Sequence, residues 1–504
     1  MEVRRRGGTV VVINPLKEAG MVRFRVPSNV RSMIAGDEIA SLYVQPHVGG
    51  DLALLTGMAK VLIEDGHADQ DWISAYTTGY ADFKDSVLAT PWDSIIEESG
   101  VDAVTIRRLA DCYVQSTHSV FSWAMGITHH RNGTANVQAI ANLALLRGMI
   151  GKPGAGLMPI RGHSNVQGIG SVGVTPRLKQ AIFDGIESTL GLKLPTEAGR
   201  DTMSCMEGAA DGSLKFGLCL GGNLFGSNPD QDFAGKAFNR LEQVVYLSTT
   251  LNTGHAHGTG QETLILPVLA RDEEPEPTTQ ESMFNFVRMS DGGPERFEGA
   301  RSEIDVIATL AEAVMGVENP IAWQDWKHTR TIRKAISEVV PGYAAIADID
   351  GNGGEFQIGG RTLHEPVFAL PGGKARFHSH TLDATEPLGN NRFRLMTIRS
   401  EGQFNTVVYE EHDLYRGVDG RYVILVNPLD LEAAGLADAT HVDVQGPGGR
   451  MSRIQVVPFG DIRRGSTAMY FPEANVLLSR AVDDQSRTPA FKGALVTLTR
   501  SRPE

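Results

Sequence analysis

The sequence predicts an α/β protein with doubly wound sheets and a small C-terminal β-barrel. Apolar strands alternate with helical stripes over residues 9–151, which is the pattern of a parallel sheet covered by helices. Two more apolar strands, at 213–223 and 243–250, predict a second α/β domain. Beyond residue 389 the strands are short and alternating, which is typical of a small barrel.

Each element has its own local signal. The strand at 9–13 is a short apolar run that ends at Asn14-Pro15, and the helix within 49–66 has apolar residues at helical spacing between Asp51 and Gly66. The same criteria predict a helix at 102–116, a strand at 119–126 and a helix at 134–151. The barrel strands are expected at 440–444, 451–457, 466–471 and 494–499, with a GPGG turn after the first.

Composition limits the functional classes. The chain has 504 residues, enough for about three or four domains, and its formal net charge of -13 argues against a nucleic-acid-binding surface. It contains no apolar run of roughly 18 residues that could span a membrane. Its three cysteines form no CxxC pair, which fits a reducing, cytoplasmic compartment and excludes a disulfide framework.

Two segments rich in turn-forming residues help to divide the chain. RDEEPEPTTQE (271–281) is acidic and contains proline, so we expect an exposed connection, and DIDGNGGE (348–355) is a second break. The predicted domains are 1–163 and 164–270, both α/β, a mixed connecting segment at 271–388, and the barrel at 389–504.

The loop PIRGHSNVQG (159–168) is the first candidate site. Gly151 and Pro153 end the preceding helix, and small residues then free the backbone for a close approach to a ligand. Arg161 can hold a carboxylate or phosphate through two parallel hydrogen bonds, and His163 can change its protonation near neutral pH. The alternative is an ordinary solvated turn.

Other predicted strands end in similar polar, glycine-rich loops. Because ligands of α/β folds bind at the carboxyl ends of strands, these loops favour one large cleft over unrelated turns. The pair His255-x-His257 could chelate zinc, but without a third ligand at a characteristic spacing a polar loop is favoured. The loops are MGITHHRNG (125–133), LGGNLFGSNPD (220–230), STTLNTGHAHGTG (248–260), TIRSEGQFNT (397–406), FPEANVLL (471–478) and TPAFKG (488–493).

Taken in order, several segments resemble the molybdopterin oxidoreductase superfamily, especially formate dehydrogenase catalytic subunits and their cytoplasmic relatives. The resemblance implies two α/β domains that share a cofactor cleft, and a six-stranded barrel of the double-psi type. It also implies molybdenum, or tungsten, held by two molybdopterin guanine dinucleotides. The segments are INPL, GGDLALLTGMAKVLIE, WAMGITHHRNGTANVQAIANLALLRGMIGKPGAGLMPIRGHSNVQG, GGNLFGSNPD, LVNPLDLEAAGLADATHVDV, EANVLL and PAFKG.

The resemblance assigns cofactor contacts to matching positions. One dinucleotide would be lined by Asn14, Pro15, Gly50, Asp51, Met125 and Gly126. The other would be lined by Gly221, Gly222, Asn223, Ser248 and Thr249. The barrel would add Arg399, Gly402, Gln403, Asn405, Asn475 and Lys492, and Gly162 would lie on the cofactor side of its loop.

Three residues are the catalytic candidates. Arg161 matches the family's active-site arginine, which binds the formate carboxylate. His163 and His129 stand where formate dehydrogenases have glutamine, so either imidazole is a candidate proton acceptor. The implied reaction is the two-electron oxidation of formate or a similar small anion, with electrons passing to an electron-transfer partner.

The resemblance also implies groups that these residues do not supply. Family members carry a [4Fe-4S] cysteine motif and a metal-ligating cysteine or selenocysteine in a region that would precede residue 1. Cys112, Cys205 and Cys219 lie in other contexts and are expected to be structural, so no residue here is predicted to ligate a metal. The chain therefore resembles a C-terminal fragment or shortened product, and the alternative function is an inactive pterin-binding module.

Overall fold

The computed structural model describes residues 1–26, 28–316, 318–351, 353–360, 363–382, 384, 387–389 and 391–502. Two compact units make up the chain. The first unit consists of Met1–Met158, Gly226–Asp232 and Thr362–Glu504, and the second of Pro159–Phe225 and Phe233–Arg361. The boundaries of the four predicted domains stay predictions.

Helices and strands occur in both units. None of the helices within the described ranges is both long and apolar enough to cross a membrane. The α-helices are α1 (Glu2–Arg5), α2 (Ala19–Val22), α3 (Val30–Ala35), α4 (Asp51–Glu64), α5 (Gln70–Tyr76), α6 (Tyr80–Ala89), α7 (Trp92–Ser99), α8 (Ala103–Val114), α9 (Met125–Thr128), α10 (Gly133–Leu146), α11 (Val166–Ser171), α12 (Gln180–Leu190), α13 (Thr202–Asp211), α14 (Leu224–Ser227), α15 (Gln231–Phe238), α16 (Thr253–His257), α17 (Glu303–Met315), α18 (Thr329–Val339) and α19 (Pro428–Ala433). The strands are β1 (Val11–Ile13), β2 (Arg23–Phe24), β3 (Asp37–Glu38), β4 (Leu42–Val44), β5 (Thr77–Thr78), β6 (Val120–Trp123), β7 (Gly156–Pro159), β8 (Phe216–Leu220), β9 (Gln243–Ser248), β10 (Glu262–Pro267), β11 (Thr278–Glu281), β12 (Phe286–Ser290), β13 (Glu355–Gln357), β14 (Ala375–Arg376), β15 (Arg392–Ile398), β16 (His412–Asp413), β17 (Val418–Asp419), β18 (Val423–Val426), β19 (His441–Gln445), β20 (Arg450–Pro458), β21 (Ser466–Tyr470) and β22 (Lys492–Arg500).

Helix α4 lies at the centre of the first unit's α/β part. Its residues from Asp51 to Leu62 are all buried, and it packs against α6, α7, α8 and α10. This burial explains why its sequence is apolar on nearly every side rather than on one stripe. The helix places its first residue, Asp51, directly after the glycine pair of the predicted cofactor loop.

The strands of this α/β part pair two by two. β1 pairs in parallel with β4, and β6 pairs with β7 in a separate two-stranded sheet. The predicted strands at 9–13 and 119–126 are thus present, whereas β4 was not predicted because LYV is too short to show a period. The α/β class is confirmed, and the described strands of this part form two-stranded sheets, β1–β4, β2–β3, β5–β14 and β6–β7, rather than one continuous sheet.

The C-terminal part of the first unit is a closed six-stranded barrel, as predicted. Its strand order is β15-β21-β18-β20-β19-β22, and β22 closes the barrel by pairing antiparallel with β15. The pairs β15–β21 and β18–β20 are parallel. Inward-facing apolar side chains such as Leu395, Ile424 and Val496 fill its core.

The second unit contains two three-stranded sheets. The parallel sheet has the order β10-β9-β8, and the antiparallel sheet has the order β11-β12-β13. Met206, Phe238 and Tyr246 belong to the core on one side of the parallel sheet. Because β8 and β9 run in the same direction, their carboxyl ends lie side by side, with Leu220 opposite Leu247.

The prediction of an exposed connection at 271–281 is wrong. The segment contains β11, and the side chains of Glu273, Glu274 and Glu281 are buried. Its acidic composition suggested exposure, but two of these carboxylates have partners inside the unit: Glu273 accepts from the Ala270 N–H (2.9 Å), and Glu281 accepts from the Asn285 amide (3.2 Å). Buried carboxylates are tolerated where such partners exist.

Candidate functional site

The carboxyl ends of β8 and β9 form the first group of predicted site residues in the second unit. Gly221 and Gly222 follow β8 with φ of 65° and 69°, and nothing lies within 4 Å of where a β-carbon would stand on either. Ser248 ends β9, and Thr249 follows it at an exposed position. This juxtaposition of open glycine backbone with hydroxyl side chains suits a polar or anionic ligand.

A hydrogen-bond network makes this end of the sheet rigid. The Asn223 amide donates to Thr253 Oγ1 (2.7 Å), and the Asn252 amide donates to the Gly222 carbonyl (3.1 Å). Asn252 also caps α16, accepting from the Gly254 N–H (2.9 Å), while its own N–H donates to His255 Nδ1 (3.2 Å). His255 therefore belongs to the cap of a helix.

Arg161, Gly162 and His163 lie together in an exposed loop of the second unit. Among the residues that the structure describes, the Arg161 side chain makes no hydrogen bond or ion pair, and the space beside the Gly162 α-carbon is open. The next two residues are held: Ser164 Oγ accepts from Arg271 (2.8 Å) and Asn165 Oδ1 accepts from the Glu281 N–H (3.1 Å). Among the described residues the Arg161 guanidinium thus has no partner, while the loop is held in place at Ser164 and Asn165.

The first unit gathers several cationic side chains at one end of the barrel. Lys492 Nζ donates to the Thr397 carbonyl (2.6 Å), and its backbone N–H donates to the His129 carbonyl (3.0 Å). Arg399, which follows β15, donates to the Phe404 carbonyl (3.2 Å) and lies over the Phe471 ring (5.5 Å). The His129 ring contacts Phe491 at 4.9 Å between centroids.

Burial and mutual repulsion shift the pKa values in this cluster. Burial, with a smaller contribution from Arg399, lowers the pKa of Lys492 to about 8. Burial and the charge of Lys492 lower the pKa of His129 to about 3 and that of His130 to about 4. Both imidazoles are therefore neutral at pH 7, and the His130 ring Nε2 bonds the Gly126 carbonyl (3.0 Å).

The loop after β15 is built around Gln403. The Gln403 amide donates to the carbonyls of Asn405 (3.1 Å) and Phe471 (2.6 Å), and its oxygen accepts from Arg421 (3.0 Å). Asn405 Oδ1 in turn accepts from two backbone N–H groups of the same loop, at 2.7 Å each. The side-chain polar atoms of Gln403 and Asn405, two predicted ligand contacts, are thus already hydrogen-bonded within the protein. The neighbouring Gly402 is exposed.

Asn475 is fully buried beside the segment Gly226–Asp232. Its side-chain N–H donates to the Gly226 carbonyl (2.9 Å), and its backbone carbonyl accepts from the Asp230 N–H (3.0 Å). Within the described part of the chain, its side-chain oxygen has no hydrogen-bond partner. An unsatisfied buried acceptor is unusual in a native protein, and a hydrogen-bond donor from a ligand or a water would satisfy it here.

The remaining predicted contacts lie at the ends of β1, of β6 and at the start of α4. Asn14 Oδ1 accepts from the Leu16 N–H (3.3 Å), and the Pro15 carbonyl accepts from Gln45 (2.9 Å). Burial raises the pKa of Asp51 to about 6, and a β-carbon on Gly50 would stand 2.7 Å from the Glu98 carbonyl oxygen. Gly50 is therefore required by packing. Met125 and Gly126, after β6, are exposed.

Comparison with known proteins identifies these elements. A family model for the molybdopterin oxidoreductases matches residues 12–312, and one for the molydopterin dinucleotide-binding domain matches residues 393–495. The chain belongs to the molybdopterin oxidoreductase family. The second match covers the barrel from β15 to β21 and the loops at 397–406, 471–478 and 488–493.

Relatives of this molybdopterin oxidoreductase include an uncharacterized oxidoreductase, the protein YdeP and a formate dehydrogenase. It is 32% identical over 527 residues to an uncharacterized oxidoreductase of Mycobacterium tuberculosis, covering 99% of this chain and 67% of that protein. It is 32% identical over 529 residues to the protein YdeP of Escherichia coli, covering 98% and 69%. It is 28% identical over 259 residues to formate dehydrogenase H of E. coli, covering 49% and 33%.

A solved structure shows the same fold. Acetylene hydratase from Pelobacter acetylenicus superposes with a TM-score of 0.70 at 16% identity, covering 99% of this chain and 75% of that chain. This likeness extends over both the α/β parts and the barrel. At 16% identity this likeness is evidence for the fold alone.

The residues present fit a pterin dinucleotide. Such a group presents negatively charged phosphates and hydrogen-bonding purine edges, which need cations, backbone donors and single polar side chains. The first unit offers Lys492, whose half-buried ammonium is held by a carbonyl, and the unpaired oxygen of Asn475. The second unit offers the open backbone of Gly221 and Gly222.

Sequence reasoning missed Arg421, which organises the barrel loops. Arg421 is 2% exposed, pairs with Glu473 (2.7 Å) and donates to Ser400 Oγ (3.1 Å) and the Phe471 carbonyl (2.7 Å). Its guanidinium carbon lies 4.3 Å from the centre of the Tyr409 ring and 5.1 Å from that of Tyr470. Its local sequence, GVDGRY, has the composition of an ordinary turn, so no local signal identifies it.

Proposed function

We propose that this molybdopterin oxidoreductase oxidises formate or a similar small anion by two electrons, with molybdenum or tungsten held by two molybdopterin guanine dinucleotides. The observation that carries the proposal is Arg161. Its exposed guanidinium has no protein partner among the described residues, and hydrogen bonds hold the loop just after it in place. A planar guanidinium binds a carboxylate through two parallel hydrogen bonds. The relationship to formate dehydrogenase H supports this substrate class.

In this proposal the chain's own residues bind the substrate and the cofactor and accept a proton. Arg161 holds the anion, and Gly221, Gly222, Asn475 and Lys492 hold the dinucleotides. His163 is the favoured proton acceptor of the two candidate histidines, because the pKa of about 3 makes His129 a weak base. The metal-pterin group, when bound, takes up the two electrons of the oxidation, which then leave to an electron-transfer partner.

A second candidate is a pterin-binding module without redox chemistry. In the described ranges no three His, Cys, Asp or Glu side chains come together as a metal site. Burial also raises the pKa of Cys219 to about 11 and raises that of Cys205, which opposes the thiolate form that binds metals. Under this alternative the dinucleotide loops are retained while turnover is absent.

Metal analysis and acid release of GMP from the purified protein test the cofactor. Molybdenum or tungsten together with GMP is expected, and their absence from a folded sample would contradict the proposal. GMP without metal and without turnover would support the second candidate. These measurements separate the two functions without knowledge of the natural electron acceptor.

The loaded protein then tests the anion site. Arg161→Ala should abolish reduction of an artificial electron acceptor by formate or another small carboxylate, with GMP content unchanged. Arg177→Ala is the matched control, because Arg177 is also exposed in the second unit and its side chain has no partner among the described residues. Unchanged turnover in Arg161→Ala would place the anion elsewhere.

A further inference from the structure

Two adjacent side chains tie the Arg161 loop to the segment that contains β11. Arg271 Nη1 donates to Ser164 Oγ (2.8 Å) and to Gln280 Oε1 (2.7 Å), so one guanidinium bridges the loop and the strand. Asn165 Oδ1 accepts from the Glu281 N–H (3.1 Å). Both contacts lie within three or four residues of Arg161 and His163.

Asn165 is in a backbone conformation that few residues adopt. Its φ is 63°, in the left-handed region, where asparagine is tolerated better than most non-glycine residues. It is the residue before α11, and a β-carbon at Gly168 would stand 2.0 Å from its Oδ1. The side chain is thus enclosed between the first turn of α11 and β11, which fixes the direction in which the loop enters the helix.

The β11 side of this contact is itself rigid. Glu281 is 2% exposed, accepts from the Asn285 amide (3.2 Å) and is hydrogen-bonded by the Tyr343 hydroxyl. A buried carboxylate with two partners is costly to displace, so the backbone at Glu281 is a fixed reference point. The acidic segment 271–281 is therefore rigid at Glu281, where the Arg161 loop contacts it.

We propose that Asn165 and Arg271 are positioning residues that hold the Arg161 loop in the geometry for anion binding. The inference rests on the proposed function, in which Arg161 binds the substrate. Neither residue needs to touch the substrate, because each acts through the backbone of residues 161–164. Displacement of a binding group by about 1 Å costs on the order of a hundredfold in catalytic efficiency, so a loop of this kind has to be held.

The two residues call for different substitutions. Arg271 also lies near half-buried Glu303, and its charge opposes the rise in the pKa of that carboxyl that burial and Glu274 cause. Removal of the Arg271 charge would therefore disturb the unit as well as the loop. Arg271→Lys keeps the charge, but its ammonium stands one bond closer to the backbone than Nη1, the single nitrogen that donates to both Ser164 and Gln280, so the bridge should be lost. Asn165→Gly keeps the left-handed backbone and removes only the Oδ1 acceptor.

Hydrogen exchange of the loop amides tests the contact in the protein as purified, without any need for turnover. Asn165→Gly and Arg271→Lys should each speed exchange over residues 160–166 by about tenfold, with the rest of the second unit unchanged. The control is Lys215→Arg, because Lys215 is exposed, precedes β8 in the other sheet of the unit and pairs with Glu242. Unchanged exchange in both loop variants would overturn the proposal.

Turnover of the loaded protein tests whether this contact acts through Arg161. Asn165→Gly should raise KM for the carboxylate on the order of tenfold to a hundredfold, while GMP content stays the same. In an Arg161→Lys background, the same change should have little further effect, because both act on one interaction. Equal fold losses in both backgrounds would mean a general structural role and would overturn the proposal. If Arg161→Ala itself keeps full turnover, the proposed function fails, and the exchange result still decides whether Asn165 and Arg271 hold the loop.

Discussion

The barrel loops and the strand ends of the second unit present their candidate ligand contacts in opposite ways. At the barrel, the contacts are side chains that are already held by the protein: Lys492 by a carbonyl and Gln403 by Arg421. In the second unit they are open backbone at Gly221 and Gly222, together with the Arg161 guanidinium, which has no partner among the described residues. A preorganised side-chain site depends on each of its supporting contacts, whereas a backbone site depends mainly on conformation.

The largest expected effect on stability comes from removal of Arg421, the buried cation that holds the barrel loops. Arg421→Met leaves Glu473 nearly buried without its partner and removes the bonds to Ser400 and Phe471, so the free energy of unfolding should fall by about 3–5 kcal/mol. Urea unfolding measures this. Arg450→Met, which removes an exposed ion pair with Asp443, should cost less than about 1 kcal/mol. Similar losses in the two variants would show that the barrel loops are not held in the way described.

The second prediction concerns the buried acid of the first unit. Burial raises the pKa of Asp51 from 3.8 to about 6, so the folded state binds the proton more tightly than the unfolded chain. Its contribution to stability is therefore fully present below pH 3.8 and is lost as the pH rises through 6, by up to about 3 kcal/mol. Asp51→Asn should remove this slope from the pH dependence of urea unfolding. Asp443→Asn should leave the slope intact over the same window, because the pKa of Asp443 is lowered to about 2; a slope that persists in Asp51→Asn would contradict the assignment.

Sequence predicted the elements whose signal is local. The periodicity of α4, the polar ends of β8 and β9, and the short alternating strands of the barrel all lie within a few consecutive residues, and the structure contains each of them. Contacts between distant residues leave no such pattern: Arg421 meets Glu473, and Glu281 meets Tyr343. The segment 271–281 was misjudged for this reason, since its composition does not show which carboxylates are paired.

A pH titration should separate the charged barrel site from the backbone site. Burial lowers the pKa of Lys492 from 10.5 to about 8, so deprotonation removes its charge above pH 8 and the affinity for GDP, measured by calorimetry, should fall by roughly tenfold by pH 9. The free energy of unfolding should instead rise between pH 8 and pH 10.5, because the unfolded chain binds the Lys492 proton more tightly than the folded protein does. Lys492→Met should abolish both dependences, and Lys374→Met, which removes a half-buried lysine that donates to the Ser74 carbonyl, should preserve them. An affinity that is independent of pH in the unmodified protein would exclude Lys492 from the phosphate site.

The smallest expected effect on stability comes from the backbone site, and it is the most selective. Gly221→Ala places a β-carbon in open space but keeps φ near 65°, so strain should lower the free energy of unfolding by only about 1–2 kcal/mol. The same β-carbon occupies the space that the proposed dinucleotide needs, so GMP content should fall sharply. Gly191→Ala is a close control, since Gly191 lies in the same unit with φ of 66° and nothing within 4 Å of its added β-carbon. The two variants should lose equal stability while only Gly221→Ala loses GMP; equal GMP content in both would remove the ends of β8 and β9 from the cofactor site.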